Sequence, residues 1–67
     1  MEVSINQKLT DIPENQSVHQ LVLSLYQSVP RGIAVAVNQA VVPRSQWTGH
    51  LLSSQDQITL ISATSGG

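Results

Sequence analysis

The sequence predicts an α+β domain: a mixed sheet of four to five strands with one main helix packed across it. Three observations carry that expectation. Residues 18–29 repeat apolar side chains at helical spacing, several short segments alternate or run apolar as strands do, and Asn, Gln, Pro or Gly separates each segment from the next. With 67 residues the chain makes a single domain. Domains of this size bury only about 60% of their unfolded surface, so the core is thin and a deep substrate cleft is not expected.

Residues 1–5 alternate apolar and polar, the period-two pattern of a strand with one buried face, which turns Met1, Val3 and Ile5 inward. Asn6-Gln7 reads as a tight turn, since Asn tolerates left-handed backbone. Residues 8–12 then return as a second strand until Pro13 interrupts the ladder. Ser17-Val18-His19-Gln20 fits a capping box, in which the serine hydroxyl accepts from the Gln20 amide while the Gln20 side chain accepts from the Ser17 N–H. A helix should begin there. Val18, Leu21, Val22, Leu25 and Val29 form its apolar stripe, with Leu23 off the stripe and Tyr26 on its flank. Pro30 disfavours helix at the residue before it and Gly32 lets the chain reverse, which ends the helix near Gln27 or Ser28.

Residues 33–37 are continuously apolar, with larger side chains on one parity and alanines on the other. That pattern suits a strand buried on both sides and makes this segment the expected central strand. Asn38-Gln39 is a second turn, residues 40–42 a short strand, and Pro43 ends it at an edge. Residues 45–48 fit one helical turn, with Trp47 laid over an open end of the core. After a polar turn over residues 53–57, residues 57–63 are rich in β-formers and make the last strand. Residues 1–63 are therefore read as the domain and 64–67 as a flexible C-terminal tail ending in diglycine. If the first and last strands lie side by side and parallel, with the helix over the face that carries Val3 and Ile5, the topology is a β-grasp.

Composition narrows the function. Charged residues make up 10% of the chain against about 25% in ordinary domains, and the net charge is -1. Lys8, Arg31 and Arg44 are scattered, so there is no basic stripe to follow a phosphate backbone and nucleic acid is not an expected partner. No apolar stretch approaches a membrane span and no signal core opens the chain, which points to a cytoplasmic protein, complete as written, with no membrane partner. The absence of cysteine excludes disulfides, thiolate metal sites and a cysteine nucleophile.

The remaining candidate for chemistry is the end of the chain. Glycines lack a Cβ, so Gly66-Gly67 can pass a narrow channel and take positive φ without strain. That suits a carboxylate threaded into another protein's active site. Gly67 is thus the reactive position, and Gly66 and Ser65 thread with it.

At residues 33–47 the chain resembles the ThiS family of sulfur carriers in thiamine biosynthesis. The resemblance also takes in the Val3-Ser4-Ile5-Asn6 opening, the Ser17-Val18 helix start, the Ala36-Val37-Asn38 strand and turn, the Val42-Pro43-Arg44 segment before Trp47, and the final Gly66-Gly67. It spans essentially the whole chain. It implies a ubiquitin-like β-grasp carrier whose Gly67 carboxylate is adenylated by an E1-like activating enzyme using ATP and Mg²⁺. A sulfur donor system then converts it to a thiocarboxylate, and thiazole synthase receives the sulfur. ATP, Mg²⁺ and catalytic side chains belong to those partners, so this chain is expected to bind no cofactor and to catalyse nothing. Similar proteins often carry Ala before the diglycine and Gly in the turn before the last strand, where this chain has Ser65 and Gln55.

Other residues admit a functional and a plain reading. His19 and His50 lack the cysteine or carboxylate cluster that would complete a metal or acid-base site, and read as surface or helix-end histidines. Asp11, Glu14 and Asp56 are either an acidic contact patch or solvated turn residues. Ser17 has no recognisable His and Asp partners, so it caps rather than attacks. Arg44 either contacts a partner or stays in solvent. Trp47 is an interface anchor or core, and a chain without Phe needs it as core. The outer sheet face, with Ala34, Ala36 and Ile61, is a docking surface for the activating enzyme if left uncovered.

Alternative functions stay open at this level. Another thiocarboxylate carrier, such as the small subunit of molybdopterin synthase or a tRNA-thiolation carrier, shares the same terminal chemistry, with the Val42 to Trp47 segment favouring the first reading. Protein conjugation would use the same acyl-adenylate with lysine as nucleophile. A non-covalent β-grasp interaction module would not use the glycines at all.

Overall fold

A computed structural model of the chain describes residues 1–28 and 31–62. Strands β1 (Glu2–Ile5) and β2 (Lys8–Asp11) pair antiparallel through the Asn6-Gln7 turn. Both turn residues have positive φ, 51° and 70°, the two-residue geometry whose twist matches that of the strands it joins. The same device, with Asn38 at 53° and Gln39 at 71°, joins β3 (Ile33–Val37) to β4 (Ala40–Val42).

Between the hairpins runs α1 (Val18–Tyr26). Its start follows the capping box: the Gln20 N–H donates to Ser17 Oγ at 3.1 Å and the Ser17 N–H donates to Gln20 Oε1 at 3.0 Å. Gln27 stops it by turning left-handed at φ 65°, and its N–H donates back to the Leu23 carbonyl at 2.7 Å. Val18, Leu21 and Val22 are buried, but Leu25, expected on the same stripe, is 44% exposed. The reason is where the helix is anchored. The Val18 N–H donates to the His50 carbonyl at 2.9 Å and Ser17 bridges to Leu51, so the first turns are pressed onto the core while Leu25 and Tyr26 lie at the periphery. Val29, the last residue of the expected stripe, is outside the described residues.

The five strands form one sheet in the order β2-β1-β5-β3-β4, with β5 (Gln57–Ser62) parallel to β1 and antiparallel to β3. First and last strands therefore lie together as a β-grasp requires. The expected central position of residues 33–37 is corrected: β3 is interior, but β5 holds the centre. Nor is β3 covered along the whole of both sides: Val35 and Val37 are buried on one face, and on the other Ala36 is buried between its strand neighbours while Ala34 is exposed. A single helix can cover only one face. The continuous apolar run reflects short alanines on the open face rather than a second layer.

Beyond β4, residues Arg44–Gly49 form a 3₁₀ helix, longer than the single turn expected over 45–48. It seats Trp47 in the core at 1% exposure, where the indole Nε1–H donates to the Val42 carbonyl at 2.8 Å. Buried aromatic N–H groups need such a partner. Val3, Val18, Leu21, Val22, Val35 and Ile58 complete the fully buried set around it, drawn from helix and sheet alike. The boundary expected between residues 63 and 64 falls outside the described residues; β5 ends at Ser62.

Candidate functional site

The predicted site residues Ser65, Gly66 and Gly67 lie outside the described residues, so the structure places the strand that carries them. That strand is β5, held from both sides. Against β3 it pairs along five positions, from Val37 opposite Ile58 to Ile33 opposite Ser62. Against β1 the register covers only Ser4 opposite Gln57 and Ile5 opposite Ile58. Where each neighbouring strand turns away, an asparagine continues the ladder: Asn38 Oδ1 accepts from the Gln57 N–H at 2.9 Å, and Asn6 Oδ1 accepts from the Leu60 N–H at 2.8 Å. Sequence reasoning identified both as turn formers and missed their second role, for which only the pairing of distant strands provides a signal.

The turn into β5 is built from its own side chains. Asp56 accepts from the Ser53 N–H at 2.7 Å through Oδ2 and from Asn38 Nδ2 at 3.0 Å through Oδ1. Gln55 stands at φ 70°, and its N–H donates to the Glu2 carbonyl at 2.6 Å. This is a left-handed position, which glycine takes without the steric cost that Gln55 bears.

Alternation along the strands separates two faces. Val35, Val37, Val42 and Ile58 point into the core, which leaves Ala34, Val41, Thr59 and Ile61 on the other side. Cross-strand partners share a face, so Ala34 lies beside Ile61, and Ala36 lies between Val41 and Thr59. Val41 is 70% exposed and Ile61 51%. The result is a small uncharged patch reaching the end of β5. Ala34 and Ile61 were expected there and are exposed, whereas Ala36, expected with them, is buried at 9% between its neighbours; Val41 was missed, although its alternate parity to the buried Val42 was the available clue. Next to this patch a groove of ≈ 380 Å³ is lined by Ser4, Gln7, Gln39, Gln57, Ile58 and Thr59, all uncharged.

The remaining candidates take structural places. An Asp11 carboxylate oxygen lies 3.3 Å from the Met1 ammonium while the side chain stays 91% exposed, and Asp56 is the turn cap described above. Glu14 is exposed. Arg44, for which a partner contact and a solvated position were both open, lies over the Trp47 ring at 5.5 Å from its centroid. Ser17 is buried and serves the cap. Among the described residues no group of three His, Cys, Asp or Glu side chains gathers as a metal site, and no helix is long and apolar enough to cross a membrane.

The model of the ThiS family matches residues 2–67. Over its full 67 residues the chain is 37% identical to the sulfur carrier protein ThiS of Escherichia coli (strain K12), covering all of that protein. Among solved structures, the crystal structure of the thiamine biosynthesis protein ThiS from Geobacter metallireducens matches with a TM-score of 0.86 at 20% identity, covering 100% of both chains. The solution structure of a thiamine biosynthesis protein from the same organism matches at 0.79 and 22% identity, covering 100% of this chain and 88% of that one. At these identities the two structures bear on the fold, and both share it.

Proposed function

Because the chain belongs to the ThiS family, we propose that it is a sulfur carrier of thiamine biosynthesis whose Gly67 carboxylate is converted to a thiocarboxylate by partner enzymes. The observation that carries this reading is a family match running from residue 2 through Gly67, supported by full-length identity to a protein named as a sulfur carrier. A carboxylate is a poor electrophile. An activating enzyme with ATP and Mg²⁺ joins the Gly67 carboxylate to AMP with loss of pyrophosphate, and the acyl-adenylate then has a good leaving group. The terminal sulfur of a partner's persulfide displaces AMP, and attack of a second partner thiol on the resulting acyl disulfide frees the thiocarboxylate and leaves a disulfide on the partner. Thiazole synthase receives that sulfur. The carrier is a co-substrate in these steps rather than a catalyst, and an ATP-using partner is compatible with the cytoplasmic setting expected from the sequence.

Two features of the domain support this role. The strand that precedes residues 63–67 is the centre of the sheet, and the exposed, uncharged Ala34, Val41 and Ile61 give the activating enzyme an apolar surface on its open face. Gly66 passes the channel without a Cβ, and Ser65 fills the place where related proteins often have Ala. The test is intact-protein mass spectrometry after incubation with ATP, a sulfur donor and the cognate activating enzyme. Replacement of one oxygen by sulfur at Gly67 is expected, and deletion of Gly66 and Gly67 should abolish it while the domain stays folded. No exchange under conditions that load a control carrier would reject the proposal.

A further inference from the structure

Resting on the reading of Gly67 as the loaded end, we infer that Asn6 is a positioning residue for loading: its side chain holds the last part of β5, the strand that precedes the loaded end in the chain. The ladder shows why. The Ser4 N–H donates to the Asp56 carbonyl at 3.0 Å and the Asn6 N–H to the Ile58 carbonyl at 2.9 Å, which turns the even-numbered residues of β5 toward β1. Leu60 is next in that series, but β1 has ended at Ile5. Asn6 Oδ1 takes the Leu60 N–H instead, across 54 residues of sequence.

Leu60, Ile61 and Ser62 are otherwise paired by β3 alone, opposite Val35, Ala34 and Ile33. They include the exposed Ile61 of the open face and directly precede residues 63–67. A strand gripped along one edge frays from its free end, and every frayed residue regains backbone freedom that must be lost again when the tail enters a partner. The partner then meets a smaller competent fraction, and apparent affinity falls by that fraction. Turn formation does not explain the choice of Asn. Glycine serves a φ of 51° at least as well, but it has no side-chain carbonyl to reach Leu60.

The experiment measures loading by the cognate activating enzyme with ATP and a sulfur donor, for the full chain and for Asn6→Gly, Asn6→Asp and Asn38→Gly. Asn6→Gly keeps the turn and removes the acceptor; KM should rise by up to about fivefold, the ceiling that one hydrogen bond sets on the competent fraction, with kcat near wild type. Asn6→Asp restores the acceptor and should restore KM. Asn38→Gly removes the matching acceptor at the other end of β5 and should leave KM unchanged while lowering stability. Amide exchange gives a second readout, with faster exchange at Leu60 in Asn6→Gly and not in Asn38→Gly. Equal KM increases in the two glycine variants would reduce Asn6 to a stabilising residue, as would a wild-type KM in Asn6→Gly despite lost protection at Leu60. If the wild-type chain itself takes up no sulfur, the carrier reading fails and this role falls with it.

Discussion

Asn38 and Gln57 hold each other through two backbone-directed hydrogen bonds: the Asn38 N–H donates to the Gln57 carbonyl at 2.7 Å, and the Gln57 N–H donates to Asn38 Oδ1 at 2.9 Å. A hairpin-turn residue thereby registers the first residue of the central strand. The Asn38 amide also donates to Asp56, joining the second hairpin to the turn that feeds β5. Replacing Asn38 with Ala removes the side-chain bonds and puts a Cβ-bearing residue without local hydrogen bonds at φ 53°. A loss of about 2 kcal/mol is expected, against about 1 kcal/mol for Asn38→Gly, which loses the bonds alone. Equilibrium urea denaturation of both variants separates the two contributions.

Gln55 is expected to respond in the opposite direction. At φ 70° its backbone conformation is the one glycine adopts without steric cost. Gln55→Gly should raise stability by about 0.5–1 kcal/mol after the entropy gained by the unfolded chain is subtracted. For a domain of this size that corresponds to a rise in Tm of roughly 3–6 °C, read by thermal unfolding.

Trp47 combines a filled volume with a satisfied donor. Trp47→Phe removes the Nε1–H that serves the Val42 carbonyl and should cost about 2–3 kcal/mol. Trp47→Ala should cost about 3–5 kcal/mol, comparable to the whole stability of so small a domain, and leave much of the chain unfolded at 25 °C by far-ultraviolet circular dichroism. The wild-type protein has one tryptophan, so its emission should be blue-shifted when folded and move to the red on unfolding.

The helix cap is reciprocal, and its two halves should be coupled. Ser17→Ala is expected to cost about 1 kcal/mol, with Gln20→Ala costing less because its bond is made from the more exposed side. In a double-mutant cycle by denaturation the second substitution should cost less in the background of the first. Strict additivity would mean that the two bonds act independently.

The open face separates stability from partner binding. Val41 is exposed, so Val41→Glu should change stability by less than about 0.5 kcal/mol. A carboxylate in the apolar patch should nonetheless reduce sulfur loading by about tenfold or more if the activating enzyme docks there, because the charge would be buried without a partner. Unchanged loading would remove this face from the proposed interface.

Much of the fold was legible because local chemistry and tertiary structure agree. Ser17 and Gln20 announce a helix start that needs nothing from the rest of the chain, and the Asn-Gln pairs announce hairpins through their own tolerance of positive φ. The buried parity of β1 follows from alternation. Leu25 was misplaced because periodicity reports which way a side chain points and not how far the opposing layer extends. For β3, apolar content concealed a partly open face because Ala34 is small enough to be left beside solvent at little cost.

Alone, the sequence determined the elements, their order, the buried tryptophan and the terminal diglycine, since each is written in neighbouring residues through backbone preference, periodicity or side-chain chemistry. Tertiary structure decided that β5 rather than β3 holds the sheet centre, that Val41 joins Ile61 on one uncharged patch, and that Asn6 reaches Leu60. Each of these depends on which distant strands pair and in what register. That choice is made by the cooperative burial of one core, and no local segment encodes it.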